Sequence, residues 1–166
     1  MTNLNQEDIQ ELQKQLMKGS IQRAYKALLS YMMSLRARFA SRYVESDVSG
    51  LYQGYLDMTY FAVSPPMLKG HDLKVAIVFN YDAFKFEAWL SARNRKVQRQ
   101  YWDLFKDMPW SGYRVIQPAS GIDSILECDL ATEVDFNNMD ALTTRIETTA
   151  ARFISDIEKF FTEQQS

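Results

Sequence analysis

Apolar residues recur at intervals of three and four in three stretches of the chain, the spacing that places them on one face of an α-helix. These stretches predict amphipathic helices at about residues 5–17, 21–44 and 138–163. Gly19 follows the first helix, where glycine most easily adopts the left-handed backbone conformation that ends a helix. Ser20 can cap the second helix by accepting a backbone N–H. The apolar stripes are Ile9, Leu12 and Leu16; Ile21, Tyr25, Leu28, Met32, Leu35 and Phe39; and Leu142, Ile146, Ala150, Phe153 and Ile157.

In the middle of the chain the period of the apolar pattern falls to two, as in a half-buried β-strand. This alternation predicts strands at about 51–63, 113–117 and 124–130, bounded by glycine, proline and asparagine. The continuous apolar run 73–79 is short for a helix and is typical of a central strand. The sequence therefore predicts a β-sheet between the helical ends of the chain.

The segment after residue 79 has two interpretations. Asp82 could cap a helix, yet apolar and polar residues alternate strictly through 84–91, which favours a strand in a hairpin closed by residues 80–83. A shorter helix follows at about 94–108, where Pro109 ends it. Its inward residues are predicted to be Val97, Tyr101, Leu104 and Phe105, and its other face is basic.

Together these elements predict one α+β domain over residues 1–166. The architecture is an antiparallel, meander-like sheet of about five strands, packed by two long amphipathic helices and one shorter basic helix. Hydrophobic residues make up 46% of the 166 residues, which is ample for one continuous core and thin for two.

Composition excludes several classes of protein. The net charge of -2 argues against a globally basic nucleic-acid binder. The N-terminus lacks the pattern of an export signal, and no window approaches the ~20 apolar residues of a membrane span. The single cysteine, Cys128, and the single histidine, His71, allow neither an internal disulfide nor a histidine-based zinc site. We therefore expect a soluble protein of a reducing cytoplasm, with no metal, cofactor or membrane.

One set of polar residues suggests an alternative hypothesis of catalysis. Metal-dependent nucleases place an acid on one strand and an acid-x-Lys on the next, so that carboxylates hold Mg²⁺ and the lysine stabilises phosphate charge. Asp57, followed by Asp72 and Lys74, has this order. Asp72 also suits a turn after Gly70, so the structural interpretation is preferred and no catalytic residue is assigned.

Two other pairs also have simpler structural interpretations. Cys128 and His71 could form a nucleophile and its base, but a free cysteine is usually a small buried hydrophobe. Glu127 and Asp129 share one face of a strand, where carboxylates commonly serve solubility. The chain has no Gly-rich phosphate loop, dinucleotide fingerprint, HExxH or GxSxG sequence.

Residues 93–106 contain the strongest indication of function. Cationic and aromatic side chains are interleaved there, so cations could follow a phosphate backbone while a ring stacks on a base. These cations could instead pair with the acidic part 121–166, which holds ten of the 21 acidic residues. The candidate binding residues are Arg93, Arg95, Lys96, Arg99 and Trp102.

The passage FKFEAWLSARNRKVQRQYWDLF, residues 84–105, resembles the strand-to-helix step of uncharacterised bacterial domains of unknown function, some of which occur beside nuclease-like domains. The resemblance implies a strand followed by a helix and assigns no catalytic residue. Aromatic residues in or beside the sheet, among them Tyr52, Tyr60 and Trp89, could line a pocket or pair two copies.

We interpret the chain as a non-catalytic binding or interaction module of a bacterial cytoplasmic protein. Nucleic-acid or anion binding through residues 93–106 is the first alternative, and a Mg²⁺-dependent nuclease is the second. The partner is not specified by the sequence, and a homo-oligomer stays an open expectation.

Overall fold

The computed structural model describes residues 3–164, which form five helices and six strands. In chain order the elements are α1 (Gln6–Met17), α2 (Ser20–Arg42), β1 (Asp47–Val48), β2 (Met58–Ser64), α3 (Pro66–Lys69), β3 (Leu73–Asn80), β4 (Lys85–Ala92), α4 (Arg95–Phe105), β5 (Arg114–Val115), β6 (Ser124–Ala131) and α5 (Met139–Gln164). The predicted α+β class is confirmed, and the sheet has one strand more than expected.

The six strands form one open antiparallel sheet in the order β1-β2-β3-β4-β6-β5. The first four strands follow the predicted meander. β3 and β4 pair along their whole length, from Leu73 opposite Ala92 to Asn80 opposite Lys85, and the turn between them confirms the predicted hairpin. β6 then lies between β4 and β5, because the chain crosses through α4 to the sheet edge before it returns.

The long helices α2 and α5 cover one face of the sheet, which we call the inner face. The ring of Phe61 packs edge-on against Phe39 of α2 with centroids 5.5 Å apart, and Phe86 packs against Tyr31 at 5.8 Å. The predicted stripe of α5 is buried throughout, from Leu142 to Ile157. The hydrophobic core therefore lies between these helices and the inner face.

The stretch before β2 differs from the prediction. A single strand over 51–63 is wrong in its first half, because the chain reverses direction there. Gly54 and Leu56 have positive φ angles of 74° and 64°, a left-handed backbone that an alternating apolar pattern does not encode. The reversal brings Tyr52 beside Tyr60 in an isolated antiparallel bridge, with ring centroids 5.0 Å apart.

Two smaller predictions are also wrong. Ser20 is the first residue of α2 and does not cap it, because Gly19, with φ of 78°, occupies the cap position. Leu104 is 50% exposed, since the buried stripe of α4 runs through Gln98, Tyr101 and Phe105. The short elements β1 and α3 were not predicted, because two and four residues are too few to produce a periodic pattern.

Candidate functional site

The sheet has a second face, which points away from α2 and α5 and which we call the outer face. Side chains alternate along a strand, so the neighbours of inward Phe61 and Ala88 point to the outer face. Tyr60 on β2, Ala76 on β3 and Trp89 on β4 are such residues, and Ala76 lies directly opposite Trp89 in the sheet register. None of the three belongs to the buried apolar cluster of the inner face.

A cleft of about 440 Å³ opens on the outer face, within the size range of small-molecule sites. Its floor includes the small side chain of Ala76, and aromatic side chains of β2, β4 and the reversal before β2 stand around it. Burial raises the pKa of the Tyr60 phenol, so this wall stays uncharged at neutral pH. The lining residues are Tyr52, Met58, Tyr60, Lys74, Ala76, Trp89, Ser91, Ala92, Arg93, Asn94, Arg95, Gln98 and Asp123.

One end of the cleft is cationic. Arg95 pairs with Asp123 at 3.1 Å, and Arg93 pairs with Asp72 at 3.7 Å. Lys74 is exposed and has no ion-pair partner among the described residues. The cations therefore outnumber the carboxylates around this end, which favours an anion.

The N-terminus of α4 adds to this positive end. The Asn94 side chain accepts the N–H of Val97 at 2.9 Å, and its carbonyl accepts the N–H of Gln98 at 3.0 Å. The backbone N–H groups of Arg95 and Lys96 have no acceptor within the part of the chain that is described. The first turn of α4 contains no acid, so its positive dipole end is not neutralised locally.

Two polar groups in the cleft have no internal partner. Ser91 is 7% exposed, and its hydroxyl makes no hydrogen bond to any residue between 3 and 164. The indole N–H of Trp89 is buried and also lacks an acceptor in this part of the chain. A register shift between Leu90 and Ser91 in the pairing with β6 marks a bulge at this point, a feature that commonly redirects a side chain. The Ser91 hydroxyl is therefore available to a ligand in the cleft, whereas the indole N–H of Trp89 is enclosed by the protein.

An ion network lies beside the cleft on the outer face. Glu87, only 2% exposed, accepts hydrogen bonds from Arg114 at 3.1 Å and from Asn80 at 3.0 Å. Asp129 lies 2.9 Å from Lys85 and 3.1 Å from Arg114. Burial alone would raise the pKa of the Asp129 carboxyl, but the hydrogen bond from Lys85 and the charge of Arg114 hold that pKa below its usual range.

The hypothetical nuclease residues do not converge. The Asp57 backbone carbonyl accepts the N–H of Tyr81 at 3.1 Å, which places Asp57 beside the end of β3. Asp72 and Lys74 lie at the start of the same eight-residue strand, roughly 20–25 Å away at the rise of a β-strand. The Asp57 carboxylate accepts the N–H of Tyr55 at 2.8 Å, and backbone hydrogen bonds lower its pKa. These placements support a role in the turn for Asp57.

The predicted binding residues of the basic segment separate into two groups. Arg93 and Arg95 line the cleft, whereas Lys96, Arg99 and Trp102 do not. Lys96 and Arg99 are exposed, with no ion-pair partner in the described chain. The ammonium of Lys106 lies 4.8 Å from the centre of the Trp102 ring. Arg93 pairs with Asp72, and Arg95 pairs with Asp123, which belongs to the acidic part 121–166 but lies outside helix α5.

The single cysteine and the single histidine are separate. Cys128 is buried beneath the helices, and this burial raises the pKa of its thiol to about 11. The His71 ring stacks on Phe161 with centroids 4.0 Å apart, and its Nδ1 lies 3.2 Å from the Tyr101 hydroxyl oxygen. Both residues therefore have packing roles, at positions outside the cleft.

Sequence reasoning found only part of the cleft. Tyr52, Tyr60 and Trp89 were considered as pocket residues, and Arg93 and Arg95 as binding residues. Ser91 was missed, because an isolated serine in an alternating strand carries no distinguishing signal. Its importance comes from an unpaired hydroxyl at the cleft, a position that depends on the packing of the whole outer face.

Two other kinds of site are absent from residues 3–164. Within residues 3–164, no three His, Cys, Asp or Glu side chains are grouped so that they could hold a metal ion. No helix in that range is both long enough and apolar enough to span a bilayer.

The fold and the cleft define the class: an α+β protein with helices on one face of an open antiparallel sheet and a cationic, aromatic cleft on the other. The chain belongs to the family described as Domain of unknown function (DUF7000), whose model matches residues 4–161. This match confirms the resemblance to domains of unknown function and extends it over most of the chain. No curated protein and no solved structure matches the chain.

Proposed function

We propose that this chain is a non-catalytic binding module that holds a small anionic ligand in the cleft of the outer face. The observation that carries the proposal is the juxtaposition of unpaired Lys74 with Ser91, whose hydroxyl lines the cleft and makes no hydrogen bond in the described chain. The N-terminus of α4 supplies further donors beside them. An anion would satisfy all of these groups at once.

The chemistry of the lining supports binding without catalysis. Asp123 is the one carboxylate among the described lining residues, and it already pairs with Arg95. Neither Cys128 nor His71 lines the cleft. A general base with a free lone pair is therefore not supplied to a ligand by these side chains.

Isothermal titration with inorganic phosphate and pyrophosphate tests the proposal. Lys74→Gln should weaken anion binding by about tenfold, because a hydrogen bond to a charged group contributes roughly 1.5–3 kcal/mol. Lys26→Gln is the matched control, since Lys26 is an exposed lysine of α2 outside the cleft. Absence of binding at millimolar anion, or equal affinities of the two variants, would contradict the proposal.

A second candidate function is nucleic-acid binding along α4, favoured by the exposed and unpaired Lys96 and Arg99. Titration with single-stranded and double-stranded oligonucleotides at several salt concentrations tests it. Replacement of both cations by glutamine should lower the slope of log affinity against log salt by about 1.5, because two phosphate contacts are lost. Phosphate binding in the cleft should stay unchanged, which separates the two candidates.

A further inference from the structure

Residues opposite each other on β3 and β4 form rows across the outer face, and the chemical character of the cleft changes from one row to the next. Ala76 is opposite Trp89, and the next row toward α4 contains Lys74 opposite Ser91. Arg93 follows on the same side. A ligand lying along the strands would meet an aromatic row first and a cationic row second.

The aromatic row has the dimensions of a slot for a planar ring. β2 and β4 flank β3 and are about 10 Å apart, twice the spacing of neighbouring strands. Trp89 rises from β4 in the row of Ala76, and Tyr60 rises from β2 in the next row, opposite Val78, so their Cα atoms are about 12 Å apart. A ring in van der Waals contact on both sides needs about 7 Å, so one ring fits between these walls.

The two rows are separated by two residues, which is about 7 Å along a strand. A carboxylate attached directly to an aromatic ring would not span this distance. A ring joined to its anionic group through a sugar would do so. The distance between the two rows therefore favours anions in which a sugar separates the ring from the charged group.

We propose that the ligand is a mononucleotide, with its base between Trp89 and Tyr60 and its phosphate beside Lys74, Ser91 and the N-terminus of α4. This inference rests on the anion site of the proposed function and specifies its ligand class.

Calorimetry with a matched ligand series tests the inference on the full chain. The four ribonucleoside 5′-monophosphates are compared with ribose 5-phosphate, adenosine and inorganic phosphate. At least one mononucleotide should bind about tenfold more tightly than ribose 5-phosphate, because stacking on aromatic side chains adds to the phosphate contacts. Equal affinity of all mononucleotides and ribose 5-phosphate would overturn the nucleotide assignment, while phosphate binding would leave the proposed function standing.

Variants of Trp89 locate the base. Trp89→Leu should reduce mononucleotide affinity to that of ribose 5-phosphate and leave inorganic phosphate binding unchanged. Trp102→Leu is the matched control, because Trp102 lies on α4 outside the cleft. If Trp89→Leu does not fold, Trp89→Phe replaces it and should show a smaller loss in the same direction. Loss of nucleotide affinity in Trp102→Leu alone would overturn the assignment.

Two further outcomes are decisive. If neither phosphate nor any nucleotide binds, the proposed function and this inference fail together. If an oligonucleotide binds far more tightly than every mononucleotide, with a salt slope of several charges, the mononucleotide assignment is overturned in favour of a nucleic-acid surface.

Discussion

Glu87 is the most deeply buried charged residue described in the sheet, and its neighbours show how its burial is tolerated. A buried carboxylate is costly unless it is paired and hydrogen-bonded. Arg114 contacts Glu87, Glu127 and Asp129 at 3.1–3.3 Å, so one guanidinium serves three carboxylates. Lys85 adds a second cation, 2.9 Å from Asp129.

We expect Arg114→Met to lower the free energy of unfolding at pH 7 by about 1–3 kcal/mol, since it removes a partner of a buried charge. The pKa of Asp129 is lowered in the folded protein, so its stabilising contribution is present above about pH 4 and is lost as pH falls through the folded pKa. Without Arg114 the pKa of Asp129 is lowered less, so this carboxylate stabilises the folded protein less. Urea unfolding should therefore show a difference from the native chain that is largest near pH 7 and narrows as the pH falls below about 4.

Arg36→Met is the control for that experiment. Arg36 donates to the backbone carbonyls of Ser49 at 2.5 Å and Val48 at 3.3 Å, and carbonyls do not titrate. The loss of stability in Arg36→Met should be the same above and below about pH 4. A difference for Arg114→Met that is constant with pH would contradict the role of the network.

The network also marks the limit of prediction for single residues. Glu127 and Asp129 were recognised as a pair on one strand face because alternation alone places them there. Their partner Arg114 belongs to a two-residue strand, and its position depends on the pairing of β5 outside β6. A contact between residues on different strands requires the strand order, which periodicity does not contain.

At the scale of elements, the reversal before β2 has the strictest backbone requirement. A Cβ atom at Gly54 would lie 1.9 Å from the backbone oxygen of Met58, and the φ angle there is 74°. The same reversal carries Tyr52 to its position beside Tyr60 at the cleft. The shape of one cleft wall therefore depends on a glycine that does not line it.

Gly54→Ala should lower the free energy of unfolding by more than about 2 kcal/mol, because a left-handed backbone costs an alanine about 1–2 kcal/mol before the contact with Met58 is relieved. Gly50→Ala is the matched control. A Cβ atom there would meet nothing within 4 Å, so its stability should stay within about 0.5 kcal/mol. Thermal unfolding of both variants measures the contrast, and similar midpoints would show that the reversal can rearrange freely.

Helices and strands long enough to repeat their apolar spacing several times were predictable from the sequence. A reversal whose shape depends on unusual dihedral angles was not. The stripe of α5 and the hairpin of β3 and β4 follow from spacing and turn residues. The left-handed backbone of Gly19 was predicted at the end of α1 and is confirmed, whereas the reversal around Gly54 depends on positive φ angles for which the alternating pattern gives no sign. Ser20 was assigned the cap of α2 because its side chain can accept a backbone N–H, but Gly19 occupies that position.

At the scale of the whole molecule, α1 differs from the other long helices. It is amphipathic, with a stripe of Ile9, Leu12 and Leu16, yet it contains no buried residue. The sheet covers the stripe of α5 and, from Met32 onward, the stripe of α2. Amphipathic spacing therefore predicted the helix correctly without showing whether anything packs against its apolar side.

The same substitution, Leu→Ala, made once in α2 and once in α1, distinguishes a buried apolar stripe from an exposed one. Leu35→Ala in α2 removes a side chain with 0% exposure and should cost about 2–5 kcal/mol. Leu12→Ala in α1 removes a side chain that is 50% exposed and should cost less than about 0.5 kcal/mol, because alanine favours a helix as well as leucine does. Urea unfolding at two protein concentrations measures both changes. A loss in Leu12→Ala that grows at high concentration would instead place the α1 stripe against a second copy of the chain, since only an associating protein has stability that depends on its concentration.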